Sequence, residues 1–286
     1  MTTRPFSDAG TRYTLGHDAA ELARLEHQSG VWAHFTERFL REAGVGPGMR
    51  VLDVGCGPGD VAILAARLVG PDGYVLGVDR AAAATEVATR RAARLGLRHV
   101  EFRTGLAESL REAVGPTPAP FDAVVGRLIL EHVPHPVTVL REGAALVRPG
   151  GLVAFLEYDF TTPPTAWPPV ALFTRAYERV VAALAAAGVE TAIGCKLRRH
   201  FLDAGLPAPV VTVSARIDGA ADTPAYHMLA EVSRTLLPVM ERAGIATAAE
   251  VDPDTLEARL REAVTKVDAS VRAPDLAGAW CTLPAA

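Results

Sequence analysis

Between Arg50 and Glu157 the chain alternates short β-branched runs with helical stretches, and this alternation limits its fold more than any other feature. The runs predicted as strands are 51–54, 74–78, 100–104, 121–125 and 151–157, and the stretches predicted as helices between them are 61–69, 82–95 and 136–147. Strands that read as continuous apolar runs are buried on both faces, and their alternation with helices is typical of a parallel sheet covered on both sides.

The segments outside this core have a different pattern. Apolar residues at helical spacing predict a helix from residue 18 to Gly44, either continuous or divided at Gly30. After Glu157 we predict helices at 170–187, 192–204, 224–243 and 253–267 and strands at 209–217 and 277–284. The fold class is therefore α/β, a doubly wound, mostly parallel seven-stranded sheet with helical cap insertions. The expected division is 1–48 as an N-terminal helical lid, 49–159, 192–218 and 276–286 as the core, and 160–191 and 219–275 as a helical cap.

Composition excludes several function classes. Of 286 residues, 49% are hydrophobic and 22% are charged, which is enough apolar material for a large buried core. A net charge of −4 argues against non-specific electrostatic binding of nucleic acid. The three cysteines have no CxxC spacing, and the start of the chain lacks an apolar signal core. We expect a cytoplasmic protein with no membrane association and no nucleic-acid partner.

The stretch VLDVGCGPGD carries a glycine turn between the first strand and its helix. Gly55, Gly57 and Gly59 form a GxGxG pattern at the strand's carboxyl end, where glycines let the main chain approach a ligand and take positive φ. A dinucleotide fingerprint would have a glycine where Asp60 stands, and a carboxylate at that helix start opposes a pyrophosphate. This disfavours a nicotinamide-dependent dehydrogenase. Asp53 precedes the turn and can face a cationic amine.

A second acid ends the second predicted strand. Asp79 closes the run YVLGVD, and a carboxylate at that strand tip can accept hydrogen bonds from both hydroxyls of a ribose. The inferred ligand therefore carries a ribose and a cationic amino-acid end, and it lacks a pyrophosphate.

With VLDVGCGPGD, Asp79, FDAVVGR (121–127) and RPGG (148–151) in register, the chain resembles the class I S-adenosylmethionine-dependent methyltransferases of the small-molecule type. The resemblance implies a Rossmann-like fold, S-adenosylmethionine as cofactor, and cofactor-binding positions at Tyr13, Asp53, Gly55, Gly57, Gly59, Asp79, Arg80, Leu106, Ala107 and Arg127. Leu106 stands where many members have an acid that bonds the adenine amino group, so the Ala107 backbone is expected to bond the base edge. Tyr13 is either a lid over the cofactor or an ordinary surface residue.

Two residues are candidates for catalysis. In this family a substrate nucleophile attacks the sulfonium methyl in line, and positioning alone can supply about 7–11 kcal/mol, against roughly 3–5 kcal/mol from a general base. A base is therefore optional. His132, after the fourth strand, can take a proton from a phenol, or it only packs the loop before Pro134. Glu157 leaves the fifth strand at the same rim, either as a polar contact or as a solvated strand end.

The resemblance also bears on metal and substrate. Some methyltransferases hold a divalent cation with a Glu-x-x-Glu-His motif, but Leu128 occupies the first of those positions, so we predict no metal. Methyltransferases of nucleic-acid bases carry Asx/Ser-Pro-Pro-aromatic after the fourth strand, which is absent there. The expected reaction is methyl transfer to an O, N or C atom of an apolar small molecule, of secondary-metabolite or quinone-like type. A homodimer is the oligomeric state that we consider. A cofactor-bound cyclase or regulatory binder without methyl transfer remains the alternative.

Overall fold

A seven-stranded sheet forms the centre of the protein. The structure, a computed structural model, describes residues 19–117, 119–219 and 221–285, without the side chains of residues 19–29. The strands are β1 Arg50–Val54, β2 Tyr74–Asp79, β3 Val100–Thr104, β4 Phe121–Arg127, β5 Val147–Asp159, β6 Thr165–Trp167, β7 Val210–Ser214, β8 Ile217–Asp218, β9 Ser270–Arg272 and β10 Asp275–Thr282.

Helices connect these strands and surround the sheet. They are α1 Ala19–Ala43, α2 Asp60–Val69, α3 Ala82–Arg94, α4 Leu110–Val114, α5 Pro136–Ala144, α6 Ala171–Ala186, α7 Ile193–Asp203, α8 Pro224–Arg242, α9 Ala248–Val251 and α10 Pro253–Thr265. Two short 3₁₀ turns, Ala107–Ser109 and Leu130–His132, follow β3 and β4.

The order of the strands in the large sheet is β3-β2-β1-β4-β5-β10-β7. Strands β1 to β5 pair in parallel, and β10 runs antiparallel to both of its neighbours, β5 and β7. The chain leaves the sheet centre from β1 towards β3 and then returns to β4, so the strand order reverses between β1 and β4. Ligands of open parallel sheets bind beyond the carboxyl ends of the strands at such a reversal. The predicted doubly wound, mostly parallel, seven-stranded sheet is confirmed.

Alternate residues of the central strands enter two separate cores, because successive strand side chains point to opposite faces. Val51 packs on one face with residues of α1 and α2. Leu52 and Val54 pack on the other face with residues of α4, α5 and α7. Both faces are therefore covered, as the continuous apolar runs of the sequence indicated.

The cap segments have a core of their own. Side chains of α6, α8 and α10, among them Phe173, Tyr226, Leu236 and Leu260, are buried together in one cluster. Every buried member of this cluster lies between residues 166–189 or 225–271, inside the two predicted cap segments. The predicted domain division stays a prediction, and this packing supports it.

The differences from the expected elements are local. Helix α1 continues through Gly30 instead of dividing there. The run 209–217 forms β7 and the separate short strand β8, and β6, β9 and β8 form a second, antiparallel sheet in that order. Strands of two or three residues are too short to show an alternating pattern, so their pairing depends on contacts between distant segments.

Replacing Leu140 on α5 by Ala should lower the free energy of unfolding by about 2–5 kcal/mol, because its fully buried side chain holds α5 against the sheet. The matched change Leu95→Ala, at a side chain that is 51% exposed, should alter it by no more than about 0.5 kcal/mol. Urea unfolding followed by circular dichroism measures both. Equal losses in the two variants would contradict this assignment of the core.

Candidate functional site

A cavity of about 300 Å³ lies at the carboxyl ends of the central strands, between the sheet and the cap. Loops that follow β1, β2, β3 and β4 form one side of it, and residues of α6 and α8 form another. Of the predicted site residues, it is lined by Gly55, Gly57, Asp79, Arg80, Leu106, Ala107, Arg127 and His132. The structure therefore brings together, at the reversal of strand order, residues that lie up to 77 positions apart in the chain (55 to 132).

The glycine turn has two kinds of glycine. Gly55, Gly57 and Gly59 all have positive φ, at 69°, 50° and 88°. A Cβ atom at Gly55 would lie 2.7 Å from the Ile129 side chain, and one at Gly59 would lie 2.9 Å from the Cβ atom of Ala88. A Cβ atom at Gly57 would meet nothing within 4 Å. The outer two glycines are therefore required for packing, whereas Gly57 borders open space that a ligand can occupy.

This geometry corrects one prediction. Gly59 does not line the cavity; it packs beneath the turn against α3 and Phe102. Its contribution to any bound ligand is indirect, since it lets the main chain turn from β1 into α2.

Asp79 connects the end of β2 to the glycine turn. Its Oδ2 atom accepts a hydrogen bond of 2.8 Å from the Gly57 N–H, and its Oδ1 atom accepts one of 2.9 Å from the Ala81 N–H. Each carboxylate oxygen has two acceptor positions, so both oxygens retain capacity for a further donor. The carboxylate borders the cavity and suits a pair of ribose hydroxyls.

Asp53 lies below the turn rather than on the cavity wall, which corrects the expectation that it faces a ligand directly. Its side chain is fully buried, and neither carboxyl oxygen makes a hydrogen bond of normal geometry. Burial raises the pKa of Asp53 to about 8, against the opposing effects of the Arg127 charge and the Ala62 amide. A cationic group that approached this acid would favour its ionised form and lower this pKa.

Two residues of opposite charge, Arg127 and Asp60, lie on the cavity wall, and only the first was among the predicted contacts. Arg127, at the end of β4, donates from Nη1 to Thr36 Oγ1 at 3.0 Å, and its Nη2 atom lies 3.9 Å from Asp60 Oδ2. The other oxygen of Asp60 lies 2.7 Å from Arg91 Nη1. Arg127 was predicted by the resemblance, but Asp60 had served only as an argument against a pyrophosphate. Its position at the first residue of α2 is the signal that could have identified it.

His132 lies on the cavity wall beside a buried carboxylate. It ends the 3₁₀ turn after β4, and its Nε2 atom lies 3.2 Å from Glu131 Oε1. The other oxygen of Glu131 accepts a hydrogen bond of 3.3 Å from the Tyr158 N–H. The imidazole therefore lies between the cavity and the Glu131 carboxylate.

Glu157 has neither of the two roles predicted for it. It is fully buried and lies behind the cavity wall, so it is neither a substrate contact nor a solvated strand end. Its Oε1 atom accepts hydrogen bonds from the Ile129 and Leu130 N–H groups at 3.3 and 3.1 Å, and Oε2 accepts one from the Glu131 N–H at 3.4 Å. Burial and the neighbouring Glu131 charge raise the pKa of Glu157 well above its usual range. Glu157 therefore holds the turn that carries His132.

Three further observations concern the remaining predictions. Tyr13 lies outside the described residues, and its lid role stays a prediction. Within the part of the chain that the structure describes, no three His, Cys, Asp or Glu side chains are grouped to hold a metal ion. No helix in that part has the length and apolar character needed to cross a membrane.

The sequence is similar to known methyltransferases. Residues 46–185 match the family model of a methyltransferase domain. The chain is 37% identical over 155 residues to a ubiquinone biosynthesis O-methyltransferase of Paracidovorax citrulli, covering 50% of this chain and 63% of the relative. It is 43% identical over 106 residues to the protein of that name in Maricaulis maris, covering 37% of this chain and 39% of the relative. The chain thus spans less than two thirds of the length of these relatives.

Solved structures share the fold. The YcgJ protein of Bacillus subtilis aligns with a TM-score of 0.57 at 15% identity, covering 89% of this chain and all of the other. The [4+2]-cyclase SpnF aligns with a TM-score of 0.51 at 19% identity, covering 88% of this chain and 81% of the cyclase. At such identities these likenesses show the fold alone.

The raised pKa of Asp53 predicts a dependence of stability on pH. In the unfolded chain this acid ionises near pH 4, whereas in the fold it stays protonated to about pH 8, so its contribution to stability is lost as pH rises between these values. The slope from this one group is at most about 1.4 kcal/mol per pH unit. Asp53→Asn should remove that slope and become more stable, relative to the native chain, as pH rises. Urea unfolding at several values between pH 5 and pH 8 tests this, and parallel curves for the two proteins would contradict it.

Proposed function

We propose that this chain, which belongs to the class I S-adenosylmethionine-dependent methyltransferases, transfers a methyl group from that cofactor to a small apolar substrate. The observation that carries the proposal is the open space at Gly57, on a cavity bordered by Asp79 and Arg127. The acceptor we favour is the oxygen of a phenolic, quinone-like ring. The names of the relatives support that choice, as does a histidine on the cavity wall.

The residues present suit the cofactor. The Gly57 main chain would lie against it, Asp79 would bind the ribose hydroxyls, and the 106–107 segment would border the adenine. Arg127 and the buried acid Asp53 would balance the charges of the amino-acid end. When bound, S-adenosylmethionine supplies an electrophilic methyl group on a sulfonium centre. Arg80, at the same wall, stays a predicted contact.

The chain's own contribution to the reaction is mainly positioning. The apolar side chains of α6 and α8 would exclude water from the bound molecules, and the loops after β1, β2 and β4 would fix the ends of these molecules. Such positioning is worth on the order of 7–11 kcal/mol. Glu131 lies beside the imidazole of His132, and that imidazole would take the proton of the acceptor hydroxyl as the oxygen becomes the nucleophile.

The direct test combines binding and product analysis. Calorimetry with S-adenosylhomocysteine should show one-to-one binding, and mass spectrometry of a phenol panel with S-adenosylmethionine should show products heavier by one CH₂ group. Absence of binding would overturn the proposal. Binding with rearranged products of unchanged mass would favour the cofactor-bound cyclase instead. A homodimer, a cytoplasmic location and the lack of a nucleic-acid partner stay predictions.

Gly57→Ala should weaken binding of S-adenosylhomocysteine by about tenfold or more, because the new methyl group would occupy the space beside the cavity. Gly96→Ala is the matched control: its φ of 70° imposes a similar backbone strain of roughly 1–2 kcal/mol, and a Cβ atom there also meets nothing within 4 Å. Calorimetry should find the affinity of this control unchanged. Equal weakening in both variants would show that strain alone is responsible.

His132→Ala should lower kcat by about 10²–10⁴-fold while the affinity for S-adenosylhomocysteine stays within a factor of about two, because the lost group acts on the substrate proton. His135→Ala, at an exposed histidine three residues later, should leave both quantities unchanged. Steady-state kinetics on a phenol that the native chain methylates gives the comparison. A kcat close to the native value in His132→Ala would assign this histidine to packing before Pro134.

A further inference from the structure

The first half of the cap helix α8 contributes polar groups to an otherwise apolar wall. His227 and Glu231, one helical turn apart, line the cavity, whereas Leu236 and Met240 further along the helix are buried in the cap core. The wall around the two polar residues consists mainly of apolar and aromatic side chains, namely Phe160, Tyr177, Val180, Leu184, Met228 and Val232. A few polar groups in an apolar pocket generally fix the orientation and identity of its ligand.

The His227 ring is held in one orientation by the neighbouring helix. Its Nδ1 atom lies 2.9 Å from Oε2 of Glu257 on α10, and Oε1 of Glu257 accepts a hydrogen bond of 2.7 Å from Arg261 Nη2. The hydrogen bonds from His227 and Arg261 lower the pKa of Glu257, so it is a carboxylate. Glu257 lies behind the cavity wall, and His227 is the member of this group that reaches the cavity.

The pairing with Glu257 decides what the imidazole can recognise. A carboxylate at Nδ1 takes the proton of the neutral ring on that side, so Nε2 becomes the acceptor nitrogen. Two carboxylates, Glu231 and Glu257, lie near the ring, and their partners Arg234 and Arg261 balance their charge. A carboxylate on the ligand would meet Glu231 on the same wall. A hydroxyl, which donates a hydrogen bond and carries no charge, suits this position best.

We propose that His227 is a specificity-determining residue that accepts a hydrogen bond, at Nε2, from a second hydroxyl of the substrate, remote from the methylated one. This inference rests on the proposed function, because it treats the His132 side of the cavity as the place of methyl transfer. The substrate is then a molecule with hydrogen-bonding groups at both ends of an apolar, ring-shaped body. His132, on the sheet side, serves one end, and His227, on the cap, serves the other.

The test compares two probes that differ in the remote hydroxyl. They are a monohydroxynaphthalene and a dihydroxynaphthalene whose hydroxyls lie on opposite rings. We expect the native chain, loaded with S-adenosylhomocysteine, to bind the dihydroxy probe about tenfold more tightly than the monohydroxy probe. In methylation assays, the KM for the dihydroxy probe should be lower by a similar factor. His227→Leu should remove this difference. His227→Gln and Glu257→Gln should reduce it, since the first keeps an acceptor group and the second weakens the orientation of the ring.

His200→Leu, a matched change on α7, outside the cavity lining, should keep the full preference. If His227→Leu does not fold, as judged by its melting temperature, the two glutamine variants give the same comparison. An equal affinity of the native chain for both probes, or binding of neither, would overturn the inference. The inference would also be overturned if His227→Leu lowered kcat equally for both probes and kept the KM difference between them. That result would make His227 a base or a structural contact between α8 and α10.

Failure of this inference is distinguishable from failure of the proposed function. A chain that binds S-adenosylhomocysteine and methylates phenols without regard to a remote hydroxyl keeps the function and loses the inference. A chain that does not bind S-adenosylhomocysteine loses both.

Discussion

The reversal of strand order between β1 and β4 is the constraint on which the rest of this structure depends. Because the chain leaves β1 in one direction and β4 in the other, the loops after these strands diverge and leave a crevice at the carboxyl ends of the sheet. The glycine turn lies on one side of this crevice, and Arg127 and the turn ending at His132 lie on the other. Burial of both faces of the strands keeps these loops fixed with respect to each other.

Carboxyl groups organise the crevice, each in a different way. Asp79, at the end of β2, accepts a hydrogen bond from the Gly57 amide, and Asp60 lies between two arginines. Glu157 accepts hydrogen bonds from three consecutive amides of the turn after β4. Asp53 differs from these, because it is buried without a hydrogen bond of normal geometry. Glu131 faces the cavity and contacts His132. Four of these five acids therefore bind groups of the protein itself, three of them main-chain amides.

The cap and the loops of the sheet form different parts of the cavity wall. Its helices α6, α8 and α10 have a core of their own, separate from the two cores that cover the faces of the sheet. In the function proposed above, the sheet side of the cavity binds the cofactor and the cap contacts the substrate. His227, with Glu257 behind it, and Glu231 are polar residues on the cap side of the cavity.

The sequence by itself determined the sheet, the strand-to-helix order and the glycine turn, because strand and helix periodicity and the positive φ of glycine are local properties. It also placed Asp79 and Arg127 at strand ends, and the structure finds both on the cavity wall. It could not show that Gly59 and Asp53 lie beneath the turn, or that Glu157 binds the amides of a turn 26 to 28 residues earlier in the chain. Nor could it pair His227 with Glu257, 30 residues away. Only the tertiary structure decided these roles, since whether an acid or a histidine faces a ligand or a backbone amide depends on which distant segments pack against it.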